Sequence, residues 1–345
     1  MDKGQILIAG PCSAETEEQV MTTAKALAAQ GVKIFRAGVW KPRTKPGCFE
    51  GNGEKALPWM QRVKAETGMK VATEVATPQH VEAALKAGID MFWIGARTSV
   101  NPFAVQDIAD SLKGVDIPVM VKNPINPDVE LWIGAIERIR RAGVKNVSVI
   151  HRGFSSYDRR IYRYQPMWQI PIELRRRMPE TEMICDPSHM GGRRDLIAEL
   201  SQQAMDLGMD GLMIECHCNP EEAWSDAKQQ ITPEALREVM ANLAVKQETQ
   251  ETEYISLFRK QIDEIDKEII DVLARRMEIC REIGRYKKEH GMKVVHDSRY
   301  SEIIADRGLQ CKDKQLGEDC VMKIFEEIHQ ESIRQQMAIN KEQGE

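Results

Sequence analysis

The chain has 345 residues and a formal charge of −5, from 48 Lys and Arg against 53 Asp and Glu. This balance excludes a generally basic nucleic-acid-binding protein, so we expect no nucleic-acid partner. No apolar stretch approaches the length of a membrane span, no signal peptide precedes the run ILIAG, and the eight cysteines are scattered. We therefore expect a cytoplasmic enzyme with free thiols and no membrane association.

Residues 1–246 alternate short apolar runs with helical stretches. The runs span residues 5–10, 32–37, 70–75, 90–95, 117–122, 145–150, 182–186 and 211–215. They are apolar nearly throughout, as is typical of parallel strands that are buried on both faces. Eight βα units of this length predict an α/β fold, a (β/α)₈ TIM barrel. A doubly wound parallel sheet is the alternative.

A different pattern follows the barrel. Residues 247–253, QETQETE, lack apolar side chains and predict a linker. From Tyr254 to Glu345 the pattern indicates three helices, the second beginning near Asp297 and the third near Glu318. The first helix has an apolar stripe with alternating steps of four and three residues: Phe258, Ile262, Ile265, Ile269, Val272, Ile279 and Ile283. A three-helix domain cannot bury so long a stripe, so we expect a homodimer through this domain, or a tetramer.

Cations follow the predicted strands of the barrel. They are Arg36, Lys41, Arg43, Arg97, Lys122 and Arg152. In a barrel the C-terminal ends of the strands share one rim, where functional groups collect. A single cation there is most often a surface residue, but six would repel one another unless an anion neutralised them. Because Arg suits bidentate recognition of phosphate or carboxylate, we predict a phosphorylated substrate.

Residues 215–218, Glu-Cys-His-Cys, offer four adjacent metal ligands. On a strand, however, Glu215 and His217 point to one face and the two cysteines to the other, so the four cannot share one ion. No second Cys/His pair has zinc-ribbon spacing. A better ligand set takes one side chain from each of several rim segments: Cys12, His189, Glu215 and Asp226. Its mixed S, N and O character suits one divalent Mn, Fe, Co or Zn ion. We expect Cys216 and Cys218 to pack in the core and His217 to form hydrogen bonds near the site.

Several motifs in the barrel resemble those of 3-deoxy-D-arabino-heptulosonate 7-phosphate (DAHP) synthases of the compact Iβ type. They are GPCS (10–13), KPRT (41–44), IGAR (94–97), DPSH (186–189) and E-x-H…P-x-x-A-x-S-D (215–226). The resemblance implies condensation of phosphoenolpyruvate with erythrose 4-phosphate and release of phosphate. It implies that Cys12, His189, Glu215 and Asp226 hold the metal, and that phosphoenolpyruvate is held by Arg36, Lys41, Arg97, Lys122 and Arg152, with Lys41 and Lys122 catalytic. It assigns Pro42, Arg43 and Thr44 to the aldose phosphate.

The rival within this fold is 3-deoxy-D-manno-octulosonate 8-phosphate synthase, whose family typically has KANRS where this chain has KPRT. Two positions depart from the Iβ pattern. His151 stands where that pattern usually has Glu before Arg-Gly, and Asn123 and Pro124 differ from the usual residues after the lysine. We expect these departures to affect how water is handled in the site, not the reaction.

The long C-terminal helix has charged residues along its apolar stripe. Arg276 interrupts the stripe, and Lys287 lies about 20° from it around the helix. A charge on a buried stripe is costly unless an anion or hydrogen bonds satisfy it. On the last helix the stripe continues into Ser332 and Gln336, so the two helices predict a pocket for a small anion. Arg259 precedes Arg276 by roughly 25 Å along the axis, so only a second subunit can bring both to one ligand.

The appendage resembles the all-helical chorismate mutase domain in residues 258–288, 297–299 and 331–336. The resemblance assigns Arg276, Arg299 and the second subunit's copy of Arg259 to the carboxylates of chorismate. It assigns Lys287 and Gln336 to the ether oxygen, with Ser332 nearby. Tyr300 stands where the family usually has Glu, and His296 where it usually has Asp. The alternative is therefore a mutase-derived module that senses a ligand and dimerises without catalysis.

Together these patterns predict a bifunctional enzyme of aromatic amino-acid synthesis that acts on phosphoenolpyruvate, erythrose 4-phosphate and chorismate. The two reactions are an early and a late step, so channelling between adjacent steps does not explain the fusion. We expect chorismate or prephenate in the helical domain to inhibit the barrel, which requires the ligand to bind the inhibited arrangement better.

Overall fold

In a computed structural model of the chain, the described residues are 5–42, 47–157, 161–244, 253–294 and 314–341. The chain separates into two compact units, Met1–Gln247 and Glu248–Glu345. The predicted linker at 247–253 remains a prediction, because residues 245–252 lie outside the described ranges.

The first unit contains eight parallel strands. They are β1 (Ile6–Gly10), β2 (Ile34–Arg36), β3 (Lys70–Val75), β4 (Met91–Ile94), β5 (Val119–Lys122), β6 (Val147–His151), β7 (Met183–Cys185) and β8 (Gly211–Glu215). Each strand pairs with the next one in the chain, and β8 pairs with β1, so the sheet closes into a barrel. The predicted TIM barrel is confirmed, and the doubly wound sheet is wrong.

Helices connect the strands. They are α1 (Glu17–Ala29), α2 (Leu57–Thr67), α3 (Pro78–Lys86), α4 (Ala96–Ser99), α5 (Pro102–Ser111), α6 (Val129–Arg141), α7 (Gln169–Arg177), α8 (Pro187–Gly191), α9 (Ile197–Asp206) and α10 (Pro233–Asn242). Several begin at side-chain caps; for example, Thr16 accepts from the Gln19 amide and Asp186 from the His189 amide. The short helix α8 matters most for the site, because its first turn carries His189.

The strands supply two apolar layers. Outward-facing residues pack against the helices, and inward-facing residues fill the barrel with a small separate core of Ile8, Ala72, Trp93, Met120, Ile150, Ile184 and Met213. Ile34 of β2 packs against this inner core. The barrel is therefore closed by side chains below its mouth and is not a pore.

The position two residues after each of these inner residues faces the mouth, because side chains alternate along a strand. These positions are Gly10, Arg36, Glu74, Gly95, Lys122, Arg152, Asp186 and Glu215. Six of the eight carry a charge and the other two are glycines. The alternation that fills the barrel with apolar groups therefore also places a ring of ionisable groups directly above them.

Both glycines in this ring make room for neighbouring groups. A Cβ atom on Gly10, whose φ is +151°, would lie 2.0 Å from the Arg36 carbonyl oxygen. A Cβ atom on Gly95 would lie 2.0 Å from Glu74 Oε1. The first contact keeps β1 and β2 close at the mouth, and the second gives the Glu74 carboxylate its place.

The second unit contains a long helix α11 (Glu253–Glu289) and a helix α12 (Glu318–Lys341). Met277, Cys280, Ser332 and Gln336 are buried between them. The predicted apolar stripe of α11 is not covered in the single chain, since Ile262, Ile279 and its other members are 44–62% exposed. The helix predicted near Asp297 lies outside the described residues.

Candidate active site

One pocket opens at the barrel mouth. Its lining includes the predicted residues Lys41, Pro42, Arg97, Lys122, Arg152, His189 and Asp226, together with Glu74, Arg163, Gly95 and Ala96. Cations from β4, β5 and β6 lie on the side of the barrel opposite β8 and β1, whose loops carry Asp226 and Cys12. Predicted residues Arg43 and Thr44 lie outside the described residues.

Three of the four predicted metal ligands form a tight cluster. Candidate ligand atoms of Cys12, Glu215 and Asp226 all lie within 4.8 Å of one another. His189 approaches the same carboxylate, with Nε2 3.7 Å from Glu215 Oε1, but it is not a member of the 4.8 Å group. The structure thus brings together three of these residues from distant parts of the chain, with the imidazole of the fourth at the edge of the cluster.

The cluster fits a divalent cation on two grounds. Glu215 Oε1 is buried and accepts no hydrogen bond from any described group, although Arg36 Nη2 lies 3.3 Å away. Burial, and then Glu215, raise the pKa of Cys12 to about 12 against the opposing effect of Lys41, so the thiol keeps its proton in the absence of a metal ion. Two carboxylates and a thiol this close repel once ionised, and a divalent cation removes that repulsion.

Lys41 lies directly against the thiol. Its Nζ donates to Cys12 Sγ and to the Cys12 carbonyl oxygen, both at 3.0 Å. Burial alone would lower the pKa of Lys41, but electrostatic interactions with Cys12, Glu74 and Glu215 outweigh burial and raise it. The ammonium group is therefore held charged between the cluster and the pocket.

Asp226 is held in an unusual backbone conformation. Its φ of +48° and ψ of +35° lie in the left-handed region, which costs a residue other than glycine about 1 kcal/mol. Arg163 Nη1 lies 3.2 Å from Asp226 Oδ1 and donates to Gln229 Oε1 at 2.6 Å. Gln229 in turn donates to Glu215 Oε2 at 2.7 Å, so one chain of bonds links two of the carboxylates.

Arg36 is almost completely buried beneath the pocket. It is 1% exposed, donates to the Cys12 carbonyl oxygen at 3.1 Å and lies over the Trp93 ring. Its Nε and Nη1 atoms have no hydrogen-bond partner among the described residues. A guanidinium with unused donors suits an anion, although its direct contacts here are with Cys12 and Glu215.

Asp186 joins the two halves of the site, and the strand-end predictions did not include it. Its Oδ2 lies 2.7 Å from Lys122 Nζ and 2.8 Å from His189 Nδ1. Burial would raise the pKa of Asp186, but His189 and Lys122 outweigh burial and hold it well below its ordinary value. Burial lowers the pKa of Lys122, and Asp186 opposes that shift. The carboxylate therefore orients a candidate metal ligand and favours the charged form of Lys122, a candidate anion-binding residue.

A second group of residues comes from the long connection between β6 and α7. The Arg152 guanidinium lies 3.5 Å from the centre of the Tyr164 ring. Burial would raise the pKa of the Tyr164 phenol, but Arg152 and Arg163 outweigh burial and lower it. Sequence reasoning missed Tyr164 and Arg163 because they follow no strand; the only signal was the density of cations after β6.

Asn123, one of the two departures after Lys122, also acts on Arg152. Its Oδ1 accepts from the Arg152 amide at 2.8 Å, and its Nδ2 donates to the carbonyl oxygens of Gly153 and Pro124. Asn123 is fully buried. This side chain fixes the backbone that presents Arg152 to the pocket.

The other departure, His151, does not face the site. The ring lies among Trp132, Phe154 and Trp168 on the outer face of β6, 5.1–6.3 Å between ring centres. The expectation that His151 affects water in the site is wrong for a simple reason: Arg152 takes the inward position, so its neighbour must point to the helices. Burial lowers the pKa of His151 to about 3.

The Glu-Cys-His-Cys run divides as its alternation predicts. Glu215 faces the cluster and Cys216 lies in the outer core. Cys218 is half-buried and its amide donates to Thr23 Oγ1. His217 contacts Glu15, with Nε2 3.3 Å from Oε2, and lies next to the site without joining the ligand atoms.

The helical unit brings several predicted residues together. Arg276 Nη1 donates to Ser332 Oγ at 2.6 Å, and Gln336 is 8% exposed with no described partner for its Oε1. Cys280, which the sequence analysis did not single out, lies 3.6 Å from Arg276. Lys287 donates to the Val294 carbonyl oxygen at 2.6 Å.

Two further predicted positions do not join this group. Arg259 lies on the same helix α11, seventeen residues before Arg276. Arg299 and the departures Tyr300 and His296 lie outside the described residues.

Comparison with known families accounts for both units. The DAHP synthetase I family profile matches residues 1–252, and the chorismate mutase type II profile matches residues 258–337. The chain belongs to the DAHP synthetase I family. Both matched domains are enzymes, so the prediction of a DAHP synthase barrel followed by a chorismate mutase domain, with a role in the shikimate pathway, is confirmed.

Individual relatives agree with the family. Phospho-2-dehydro-3-deoxyheptonate aldolase of Thermotoga maritima is 34% identical over 237 residues, 69% of this chain and 68% of the relative. A crystal structure of that enzyme, DAHP synthase from Thermotoga maritima, has a TM-score of 0.62 at 31% identity, covering 69% of this chain and 67% of the other. The 2-dehydro-3-deoxyphosphooctonate aldolase of Wolinella succinogenes is 27% identical over 264 residues, 69% of this chain and 97% of the relative.

The described residues include no helix with the length and apolarity that crossing a membrane requires. The described cysteines are all free thiols.

Replacing His151 by Leu should reduce the acid sensitivity of the barrel. The folded-state pKa of about 3 lies below the ordinary value of 6.5, so only the unfolded chain binds a proton as the pH falls below 6.5. Wild type should therefore lose about 2 kcal/mol more stability than His151→Leu between pH 7 and pH 5. Urea unfolding followed by tryptophan fluorescence measures this, since all six tryptophans lie in the barrel. Equal pH dependence of the two proteins would contradict the neutral, buried ring.

Proposed function

We propose that the barrel condenses phosphoenolpyruvate with erythrose 4-phosphate to DAHP and phosphate, with one divalent Mn, Fe, Co or Zn ion. The observation that carries this proposal is the position of two groups at one pocket. Cations from β4 to β6 line one side, and the other side is lined by His189 and by Asp226, which forms the ligand cluster with Cys12 and Glu215.

The cationic side suits phosphoenolpyruvate, which carries a phosphate and a carboxylate. Arg97, Lys122 and Arg152 line the pocket, and Lys122 and Arg152 are 4% and 2% exposed. Buried cations gain more from an anion than exposed ones, because little water screens them. Asp186 and Asn123 hold Lys122 and Arg152 in place, so these groups need little reorganisation when the substrate binds.

The opposite side suits the aldehyde. Cys12, Glu215, Asp226 and His189 would hold the ion, which supplies a Lewis acid that polarises the aldehyde carbonyl and stabilises the developing alkoxide. Lys41, charged and 3.0 Å from Cys12 Sγ, adds a fixed positive charge at the same place. The C3 carbon of phosphoenolpyruvate then attacks the carbonyl carbon, water adds at C2, and phosphate leaves with cleavage of its C–O bond.

The choice of aldose substrate is the most specific part of this proposal. Lys41 and Pro42 line the pocket, and Arg43 and Thr44 complete the KPRT segment that we assign to the aldose phosphate. The relatives named as 2-dehydro-3-deoxyphosphooctonate aldolases support a second candidate, a synthase that joins phosphoenolpyruvate to a five-carbon aldose phosphate. The greater identity to the heptonate enzyme supports erythrose 4-phosphate.

Removing the metal should stop the condensation and spare the mutase reaction. A chelator should lower the loss of phosphoenolpyruvate with erythrose 4-phosphate at least about 100-fold, because several kcal/mol of alkoxide stabilisation disappear. Prephenate formation from chorismate should continue in the same sample. Full synthase activity after chelation would contradict the metal, and a faster reaction with a five-carbon aldose phosphate such as arabinose 5-phosphate would favour the second candidate.

For the helical unit we propose rearrangement of chorismate to prephenate. Arg276, with Arg299, would hold substrate carboxylates, and Lys287 and Gln336 would donate to the ether oxygen as charge develops on it. Ser332 orients Arg276 at 2.6 Å. The reaction needs no nucleophile or base, so restraint and electrostatic complementarity suffice. Lys287 must exchange its present bond to Val294 for the substrate.

We propose that the mutase site is completed by Arg259 of a second copy of the chain. Two features support this. The apolar stripe of α11 is about half exposed in the single chain, and a homodimer buries such a stripe. Arg259 and Arg276 are also too far apart on one helix, roughly 25 Å, to bind the same ligand.

Mixing two inactive variants tests this shared site. Arg259→Ala and Arg276→Ala should each lose at least about 100-fold in prephenate formation. When subunits exchange at equal amounts, about one quarter of the wild-type activity should return, because half of the dimers are mixed and each has one intact site. Arg285→Ala is the matched control, since Arg285 is exposed on the same helix and forms an ion pair with Glu282, one turn away. Failure to recover activity after subunit exchange would contradict the shared site, and an inactive wild type would favour the ligand-sensing module.

We also propose that prephenate or chorismate in the helical unit inhibits the synthase. Prephenate should slow the condensation in wild type by a coupling of about 1–3 kcal/mol, equivalent to roughly 5- to 150-fold. Arg276→Ala should remove this effect without changing the uninhibited synthase rate, because it acts in a separate compact unit. Deleting residues 254–345 should have the same result. Inhibition that persists in either protein would contradict regulation through the mutase site.

A further inference from the structure

The loop that carries Asp226 is an excursion from the end of β8. Residues Cys216 and Ile231 form a bridge where the chain leaves and returns, with Ile231 N donating to the Glu215 carbonyl oxygen at 3.0 Å. Between them Asp226 adopts its left-handed conformation. Nothing in this local path alone fixes Asp226 at the correct distance from Cys12, which lies 214 residues earlier in the loop after β1.

Gln230 makes the first connection between the two loops. Its Oε1 accepts from the Cys12 amide at 2.9 Å, and its Nε2 donates to the Ser225 carbonyl oxygen at 2.8 Å. Gln230 is fully buried. One amide side chain therefore touches the backbone of one candidate ligand and of the residue next to another.

Glu15 makes the second connection. Its Oε1 accepts from Ser13 Oγ at 3.1 Å and from the Trp224 amide at 2.9 Å, while Oε2 lies 3.3 Å from His217 Nε2. Glu15 is 4% exposed. This buried carboxylate ties the loop after β1 to the start of the excursion at His217 and to its middle at Trp224, two residues before Asp226.

The proton positions in this group follow from its contacts. The single proton of Ser13 Oγ goes to Glu15, so in the 2.5 Å contact between the two serines it is Ser225 that donates. His217 Nδ1 accepts from the Asn219 amide at 2.9 Å. The imidazole proton is therefore on Nε2, from which it is donated to Glu15.

We infer that Gln230 and Glu15 are positioning residues that set the distance between Cys12 and Asp226 and thereby the metal affinity of the site. We call Gln230, Glu15, Ser13, Ser225 and His217 the loop clasp. This inference rests on the proposed metal-dependent function. It also gives His217, from the run of four potential ligands, a role in orienting ligands instead of binding the ion.

Direct cobalt(II) binding tests the clasp in the full chain. Metal-free wild type, Gln230→Glu and Glu15→Gln would be titrated by equilibrium dialysis, with the thiolate-to-cobalt absorption recorded for each. Gln230→Glu places a second acceptor against the Ser225 carbonyl oxygen, and Glu15→Gln places an amide donor against one of the donors around Glu15. Both should bind cobalt about 10- to 100-fold more weakly, the usual effect of losing an outer partner of a metal ligand.

The kinetic pattern separates positioning from general damage. The variants should keep the wild-type KM for phosphoenolpyruvate, because Arg97, Lys122 and Arg152 lie at the ends of β4, β5 and β6, away from the loops after β1 and β8. Their kcat should recover at saturating metal. Gln203→Glu, on helix α9, introduces the same negative charge away from the clasp and should change nothing. Ser225→Ala is a smaller change and should weaken cobalt binding less. It keeps the test informative if Gln230→Glu or Glu15→Gln does not fold.

The possible results are distinguishable. Wild type that binds no cobalt would overturn the metal-dependent function and the clasp with it. Wild-type binding together with unchanged affinity in folded Gln230→Glu, Glu15→Gln and Ser225→Ala would overturn the clasp alone. Weaker cobalt binding, together with a kcat that saturating metal does not restore and a raised KM for phosphoenolpyruvate, would indicate general damage. That result would also overturn the clasp.

Discussion

The burial of charge at the mouth of the barrel is the constraint on which the rest of this structure depends. Arg36, Lys122, Asp186 and Glu215 are at most 4% exposed, directly above an apolar interior. Such groups are stable only when opposite charges or hydrogen bonds compensate for lost hydration. Asp186 compensates for Lys122, but Glu215 Oε1 and two nitrogen atoms of Arg36 have no hydrogen-bond partner among the described residues. The unsatisfied atoms lie where a cation and an anion would complete the network.

The site has two parts, the residues at the strand ends and the residues on the loops above them, and different interactions hold each part in place. The strand-end residues are fixed by the pleat and by the packing beneath them. The loop residues depend on side-chain bonds that cross between distant segments, as Asn123 does for Arg152 and Gln230 does for Cys12. In a site of this kind the strands place the functional side chains precisely, and hydrogen bonds from surrounding residues orient the side chains that could bind the metal.

The helical unit also contains buried polar groups, and only some of them have hydrogen-bond partners among the described residues. Arg276 is satisfied by Ser332 across the two helices, and Gln336 Oε1 is buried with no partner among the described residues. The exposed stripe of α11 leaves a large apolar surface on the single chain. In a single copy the buried Gln336 oxygen lacks a described partner and the stripe of α11 lacks a cover. A second copy that covers the stripe would also bring another Arg259.

The sequence by itself determined the barrel, the long helix and most of the strand-end residues, because hydrophobic periodicity and strand alternation are local properties. Knowing that Ile150 faces inward is enough to place Arg152 in the mouth and His151 among the aromatic rings, and the error over His151 came from not applying that alternation. The tertiary structure alone decided the contributions of Asp186, Arg163, Tyr164, Glu15 and Gln230. Their roles depend on contacts between loops tens to hundreds of residues apart, and such contacts leave no periodic pattern along the chain.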